Sequence, residues 1–230
     1  MSKAIVFGGW ALGPEILKPV FGESASYIDV NHLVSALFNC ETLVENWPEK
    51  VISILQLTDK VDCLVGWSTG AMFAFALARK MNVDRLILLS ATPSFCRNGT
   101  FKFGTRPSVL DQMIRNIDSD PVPTLSSFIE RCGLDPQKID FDRYSSEQLK
   151  KGLKFLKQAD LHPLAPLPLK PLFLHGREDE IIPWDASVYF SRETGGVHHE
   201  LAGSHTFFLQ HRSEVCRYID ETYRYMDNVT

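Results

Sequence analysis

The stretch Val61–Ala71, VDCLVGWSTGA, constrains the fold more than any other part of the chain. Cys63, Leu64 and Val65 form a short apolar run suited to a buried strand, and Ala71–Lys80 (AMFAFALARK) is a strong helix former. Between them lies Gly66-Trp67-Ser68-Thr69-Gly70, a G-x-S-x-G pattern in the strand–turn–helix setting that presents a serine on a sharp corner. The glycines two residues either side of Ser68 remove Cβ atoms that would collide as strand and helix approach. A serine held there also stands at a helix N-terminus, where the helix dipole favours developing negative charge.

Alternation on either side of this stretch extends the pattern. Lys3–Phe7 and Tyr27–Val30 read as strands, with a helix opened by Pro14 over Pro14–Phe21 between them. Pro48 opens a further helix through Leu57, whose apolar face is Val51, Ile52, Ile54 and Leu55. Asp84–Ser90 is almost wholly apolar, as strands buried on both faces of a parallel sheet are. The alternation stops from Ser94 to Lys157, where apolar positions recur at helical spacing. It resumes after the proline-rich His162–Pro171 with strands at Leu172–His175 and Val197–Leu201, a helix beginning over Pro183–Phe190 and a closing helix Gln210–Tyr225. The expected architecture is α/β: a mostly parallel sheet with helices on both faces, formed by residues 1–93 and 158–230, and a helical lid of residues 94–157. Such a lid sits at the C-terminal edge of the sheet, where ligands bind in open α/β folds.

An activated serine needs a base and a group that orients the base, and in this setting the chain order is serine, acid, histidine. Asp179, in Gly176-Arg177-Glu178-Asp179 after a strand, is the expected acid, and His205, in Gly203-Ser204-His205 after the last strand, is the expected base. Glu178 is the rival acid. His175, inside or at the end of a strand, reads as a core histidine; of the adjacent His198 and His199, one should face solvent by strand alternation. The oxyanion hole is expected from the main-chain N–H groups of Thr69 and of Trp10, in the loop Gly8-Gly9-Trp10-Ala11 after the first strand.

Composition excludes several classes. The 230 residues carry a net charge of −4, which gives no global pull toward nucleic acid. Five scattered cysteines without a C-x-x-C read as reduced, buried thiols, which points to the cytoplasm. The first residues run straight into a strand, with too short an apolar stretch for a signal peptide, and no stretch suits a membrane span. The chain is expected to be a soluble, cytosolic monomer with no cofactor and no metal.

Taken together, Gly9-Trp10, Gly66-Trp67-Ser68-Thr69-Gly70, Ser90-Ala91-Thr92-Pro93, Gly176-x-x-Asp179 and Gly203-x-His205 resemble the α/β-hydrolase superfamily over nearly the whole chain. Within it, the Gly-Trp loop, the Gly-Trp-Ser elbow and the Ser-Ala-Thr-Pro-Ser-Phe run are similar to the pimeloyl-[acyl-carrier-protein] methyl ester esterases of biotin synthesis. Gly8-Gly9 stands where the family usually has His-Gly, and the family's N-terminal antiparallel hairpin is expected to be absent. The resemblance implies a serine carboxylesterase acting on an ester carried by acyl carrier protein; a hydrolase of small esters, thioesters or C–C bonds, or a non-catalytic binding module, are the alternatives. Residues 94–157 hold 11 basic and 8 acidic side chains, while the rest of the chain holds 13 and 20. That asymmetry suits an acidic carrier, with Arg106, Arg115, Arg131, Arg143 and Lys150, together with Trp67, Phe95 and Phe128, as the expected substrate or carrier contacts.

Overall fold

The computed structural model describes residues 4–58 and 60–227; Lys3, placed in the first strand by sequence, lies outside them. Eight strands are described: β1 (Ala4–Phe7), β2 (Ser26–Ile28), β3 (Phe38–Asn39), β4 (Thr42–Leu43), β5 (Lys60–Trp67), β6 (Asn82–Leu89), β7 (Leu172–Gly176) and β8 (Val197–Leu201). The helices are α1 (Lys18–Phe21), α2 (Val30–Leu33), α3 (Trp47–Leu55), α4 (Thr69–Ala78), α5 (Pro107–Ser119), α6 (Pro121–Arg131), α7 (Ser146–Gln158), α8 (Trp184–Thr194) and α9 (Arg212–Asp227). Six strands form one sheet in the order β2-β1-β5-β6-β7-β8, and every pairing in it is parallel.

The chain leaves β1 toward β2 on one side and returns to β5 on the other, so the strand order reverses between β1 and β5. The crevice of a doubly wound sheet opens at that reversal, beyond the strands' C-terminal ends. Gly8–Trp10 and Ser68 lie there.

Period-two alternation sends the strands' side chains to two cores. Phe7, Leu64, Leu86, Leu88 and Phe173 pack on one face, and Val6, Val65, Trp67, Leu89 and Leu174 on the other. Helix α4 is buried along its whole length, which accounts for its apolar composition on every side. Phe73 meets Phe7, Trp47 and Phe155, while Phe75 meets Phe190. Between β6 and β7 the chain adds α5, α6 and α7 and no strand of the main sheet. Helix α7 starts with a capping box, Ser145 with Gln148, whose S-x-x-Q spacing suits the reciprocal bonds.

Local differences from the sequence reading have physical causes. Val30 leaves the second strand because Asp29 accepts the N–H of Asn31 and caps α2. The small antiparallel pair β3–β4 is too short to carry a periodic signal. Cys40, expected to be buried, is exposed beside its turn, while Cys63, Cys96 and Cys132 are buried. Neither His198 nor His199 is fully exposed, because α9 covers this end of β8: the His199 ring stacks on Tyr218 at 4.0 Å.

The ring nitrogen Nε2 of His198 is buried and without a hydrogen-bond partner among the described residues. Burial, then the neighbouring His175 and His199, push this imidazole down from 6.5 to about 4. Across that interval the unfolded chain binds a proton that the folded chain refuses. The contribution is therefore intact above pH 6.5 and is lost as the pH falls toward 4. We expect the melting temperature to fall over this range, and to fall less steeply in His198→Gln, by roughly 2–4 °C for each kcal/mol of the histidine's share. Parallel slopes in thermal melts of the two proteins would show that His198 is not the group responsible.

Candidate active site

The turn after β5 is strained where the sequence predicts a corner. Ser68 has φ 57° and ψ −121°, a region that non-glycine residues rarely occupy and that costs about 1–3 kcal/mol. The surrounding ladder holds it: Ser68 N donates to Leu89 O at 3.0 Å, and Ala71 N to Ser68 O at 2.9 Å. A Cβ on Gly66 would overlap the carbonyl oxygen of Gly70, and one on Gly70 would overlap the carbonyl oxygens of Phe7 and Gly8. The glycines thus allow α4 to lie against both β5 and the end of β1.

Asp179 and His205 meet in the loops after β7 and β8. His205 Nδ1 and Asp179 Oδ2 are 2.7 Å apart, and both side chains are fully buried. The other carboxylate oxygen accepts the N–H groups of Ile181 at 2.8 Å and Ile182 at 2.9 Å. His175 is a core residue that also faces the acid: its Nε2 lies 2.9 Å from Ile182 O and 3.2 Å from Asp179 Oδ2. Burial alone would push the Asp179 carboxyl up. The charges and hydrogen bonds of His205 and His175 outweigh it and hold the group well below the usual carboxylate range. The rival carboxylate, Glu178, instead accepts the N–H of Gly203 and so ties the acid loop to the histidine loop.

His205 Nε2 is buried, and neither it nor Ser68 Oγ has a hydrogen-bond partner among the described residues. The imidazole lies 5.2 Å from the ring of Trp67, the residue before Ser68. Its main-chain oxygen accepts Trp67 Nε1 at 3.0 Å and Ser90 Oγ at 3.2 Å. Trp67 is therefore corrected from a substrate or carrier contact to a support of the histidine loop. It follows Val65 onto the opposite face of the sheet and lines no part of the cavity.

The loop Gly8–Ala11 adjoins the serine: a Cβ on Gly9 would come within 3.4 Å of Ser68 Cβ. Asn31, which the sequence reading passed over, fixes this loop. Its side chain accepts Ala11 N at 2.9 Å and donates to Gly9 O at 3.1 Å and to Asp29 Oδ1 at 2.9 Å. The main-chain N–H groups of Trp10 and Thr69 have no partner among the described residues.

A cavity opens above Ser68 and Thr69, walled by Trp10, Phe95, Leu110, Phe128 and Leu153, with the exposed Arg131 also lining it. A groove between α5 and α6 shares Val109, Met113, Phe128 and Arg131 with it. Of the lid residues expected to bind substrate, Phe95, Phe128 and Arg131 line the cavity. Arg143 and Lys150 are corrected as free carrier contacts. Arg143 is engaged by Glu15, Asp29 and Tyr144, and Lys150 by Asp118 at 2.6 Å. Arg115 bonds Gln112 at 2.7 Å, whereas Arg106 is exposed and forms no ion pair among the described residues. No group of three metal-ligating side chains occurs among the described residues, nor does any helix long and apolar enough to cross a membrane.

The family described as "Alpha/beta hydrolase family" matches residues 20–217. Among curated relatives, the pimeloyl-[acyl-carrier protein] methyl ester esterase of Stenotrophomonas maltophilia (strain R551-3) is 26% identical, covering 92% of this chain and 88% of its own. The AB hydrolase superfamily protein YisY of Bacillus subtilis is 33% identical over 62% of this chain and 57% of its own. Among solved structures, the esterase of Exiguobacterium antarcticum superposes with a TM-score of 0.74 at 19% identity, covering 97% of this chain and 93% of that one.

The close packing around the serine has a direct consequence for stability. Gly70→Ala should lower it by about 1–3 kcal/mol or more, since the obstacle is backbone that must shift. Gly99→Ala, with nothing within 4 Å of the added carbon, should be neutral within about 0.5 kcal/mol. Urea denaturation with an unchanged slope reads both. Equal stability of the two variants would mean that the glycine contact is not tight.

Proposed function

Because the chain belongs to the α/β hydrolase family, we propose that it hydrolyses carboxylic esters through Ser68, His205 and Asp179. The observation that carries the reading is the 2.7 Å contact of Asp179 with His205 Nδ1, with the His205 ring 5.2 Å from that of Trp67, the residue before the strained Ser68 that lines an apolar cavity. Ser68 Oγ attacks the ester carbonyl as its proton passes to His205 Nε2, and the oxyanion is held by the N–H groups of Trp10 and Thr69. The alcohol leaves with the proton from Nε2. Water then attacks the acyl-enzyme, giving its proton to Nε2, and Ser68 is regenerated as the acid departs. Asp179 orients the ring and stabilises the imidazolium.

The substrate we propose is the methyl ester of pimeloyl-[acyl-carrier-protein], in biotin biosynthesis. The relative from Stenotrophomonas, aligned over most of both chains, supports it. So does the apolar wall of Phe95, Phe128 and Leu153, which suits a methylene chain. A second reading, hydrolysis of small free esters, is favoured by the pairing of Arg143 and Lys150, which leaves less positive charge for a carrier. Arg97, Lys102, Arg106 and Arg115, on and before α5, form no ion pair among the described residues and are the proposed docking charges.

Ser68→Ala should remove on the order of a million-fold in kcat with the fold intact. Asp179→Asn should cost about ten-thousand-fold, and Glu178→Gln less than about tenfold, since an amide oxygen can still accept Gly203 N. A more damaging change at Glu178 would identify it as the acid.

Reversing Arg106 and Arg115 to Glu separates the two substrate readings. For a carrier-bound ester, kcat/KM should fall, and added salt should slow the unaltered protein as well. Hydrolysis of p-nitrophenyl butyrate should be unchanged. If the carrier-bound ester is handled equally well by both proteins, the small-ester reading stands.

A further inference from the structure

Resting on the reading of His205 as the base, we propose that Ser204 and Thr206 are positioning residues that fasten it to the last turn of α6, so that the wall of the acyl cavity and the base move as one unit. The carbonyl oxygen of Cys132, the residue that ends α6, accepts Ser204 Oγ and Thr206 Oγ1, each at 2.8 Å. These two residues flank His205 on either side. Cys132 is fully buried and Thr206 nearly so, which keeps water from substituting for the Thr206 hydroxyl, while Ser204 is half-buried.

The contact is close as well as bonded. Gly133 follows with φ +84°, and a Cβ there would overlap Ser204 Oγ. Helix α6 ends in a left-handed glycine that lets its last turn lie directly on the histidine loop. The same turn reaches the acid. Arg131 donates to the carbonyl oxygen of Glu180, the residue after Asp179. One turn earlier, Phe128 forms part of the cavity wall, meets the Trp10 ring edge-on at 4.8 Å, and accepts the N–H of Cys132 at 3.0 Å.

Satisfying a carbonyl at a helix end is the ordinary role of such hydroxyls. A single donor would serve it. Here both lone pairs of one oxygen are taken by the residues before and after one imidazole. That arrangement fixes the loop at two points about the ring, beside the bonds of Trp67 and Ser90 to His205 O, and loss of either hydroxyl removes a restraint next to the imidazole. Displacements of about 1 Å at a reacting group cost up to about a hundredfold in rate, so the proposed consequence is a loss in kcat with substrate affinity kept.

The test uses the full chain with p-nitrophenyl butyrate. Ser204→Ala, Thr206→Val, the double variant and Thr206→Ser are measured for kcat, KM and melting temperature. Thr206→Val keeps the shape and loses the donor, and Thr206→Ser keeps the donor and loses the methyl. We expect kcat to fall about tenfold in the donor-less single variants and up to about a hundredfold in the double variant, with KM within twofold. Thr206→Ser should recover most of the Thr206→Val loss. A lowered melting temperature with kcat unchanged would reduce the hydroxyls to helix caps and overturn the proposal, as would equal kcat in Thr206→Ser and Thr206→Val. Should the double variant not fold, the single variants decide by the same comparison. Failure of the underlying reading is separately visible, since Ser68→Ala or His205→Ala would then keep its activity.

Discussion

The close approach of β5, α4 and the end of β1 governs the rest of the molecule. Gly66 and Gly70 bring three backbones within reach of each other, where any side chain would overlap a carbonyl. Ala11, Ser68 and Ser90 all have positive φ, at 58°, 57° and 45°, in the turns that follow β1, β5 and β6. Three strained residues in adjacent turns require a frame that leaves no lower-energy alternative. The parallel ladder supplies it, with Ser68 N on Leu89 O at 3.0 Å and Ser90 N on Leu174 O at 2.9 Å carrying the pairing into the turns. The serine is exposed to the cavity because the strands beneath it cannot relax.

Much of this was legible in the sequence because it depends on short-range patterns. The elbow is five residues long, the parallel strands are apolar runs, and α7 announces its start with Ser145 and Gln148. What the sequence reading missed lies in long-range polar contacts. Asn31 holds the loop after β1 from 20 residues away, and Ser204 reaches Cys132 across 72 residues. Such residues look like any surface asparagine or serine until the fold buries them. Trp67 is a different case: its strand parity with Cys63 and Val65 already placed it on the face away from the cavity. The motif's glamour as a five-residue unit hid that simpler signal.

Charge counting also met its limit. The excess of basic side chains in residues 94–157 and of acidic ones elsewhere is partly consumed within the molecule. Arg143 is engaged by Glu15 and Asp29, Lys154 by Glu41 at 2.5 Å, and Arg131 by Glu180 at 3.7 Å. Composition records the sum of charges and not their partners. Arg97, Lys102 and Arg106, which form no ion pair among the described residues, gather on the approach to α5, a narrower field than the whole insertion would have offered an acidic partner.

The magnitudes decide what seats the insertion. Its ion pairs to the core are largely exposed, and such pairs contribute about 0–1 kcal/mol each. Burying Leu149, Leu153, Phe155 and Leu156 contributes about 1.5–3 kcal/mol per side chain. Neutral bonds such as Trp10 Nε1 to Leu149 O at 2.9 Å, or Thr206 Oγ1 to Cys132 O, add about 0.5–1.5 kcal/mol each and fix register rather than adhesion. The insertion is thus held by apolar contact and aligned by buried hydrogen bonds, with its charges left as a minor share. Salt screens exposed charges and leaves buried contacts nearly untouched. Ionic strength can therefore weaken an encounter with a charged partner while the cavity wall, the loop holding Trp10 and the loop holding His205 stay in place.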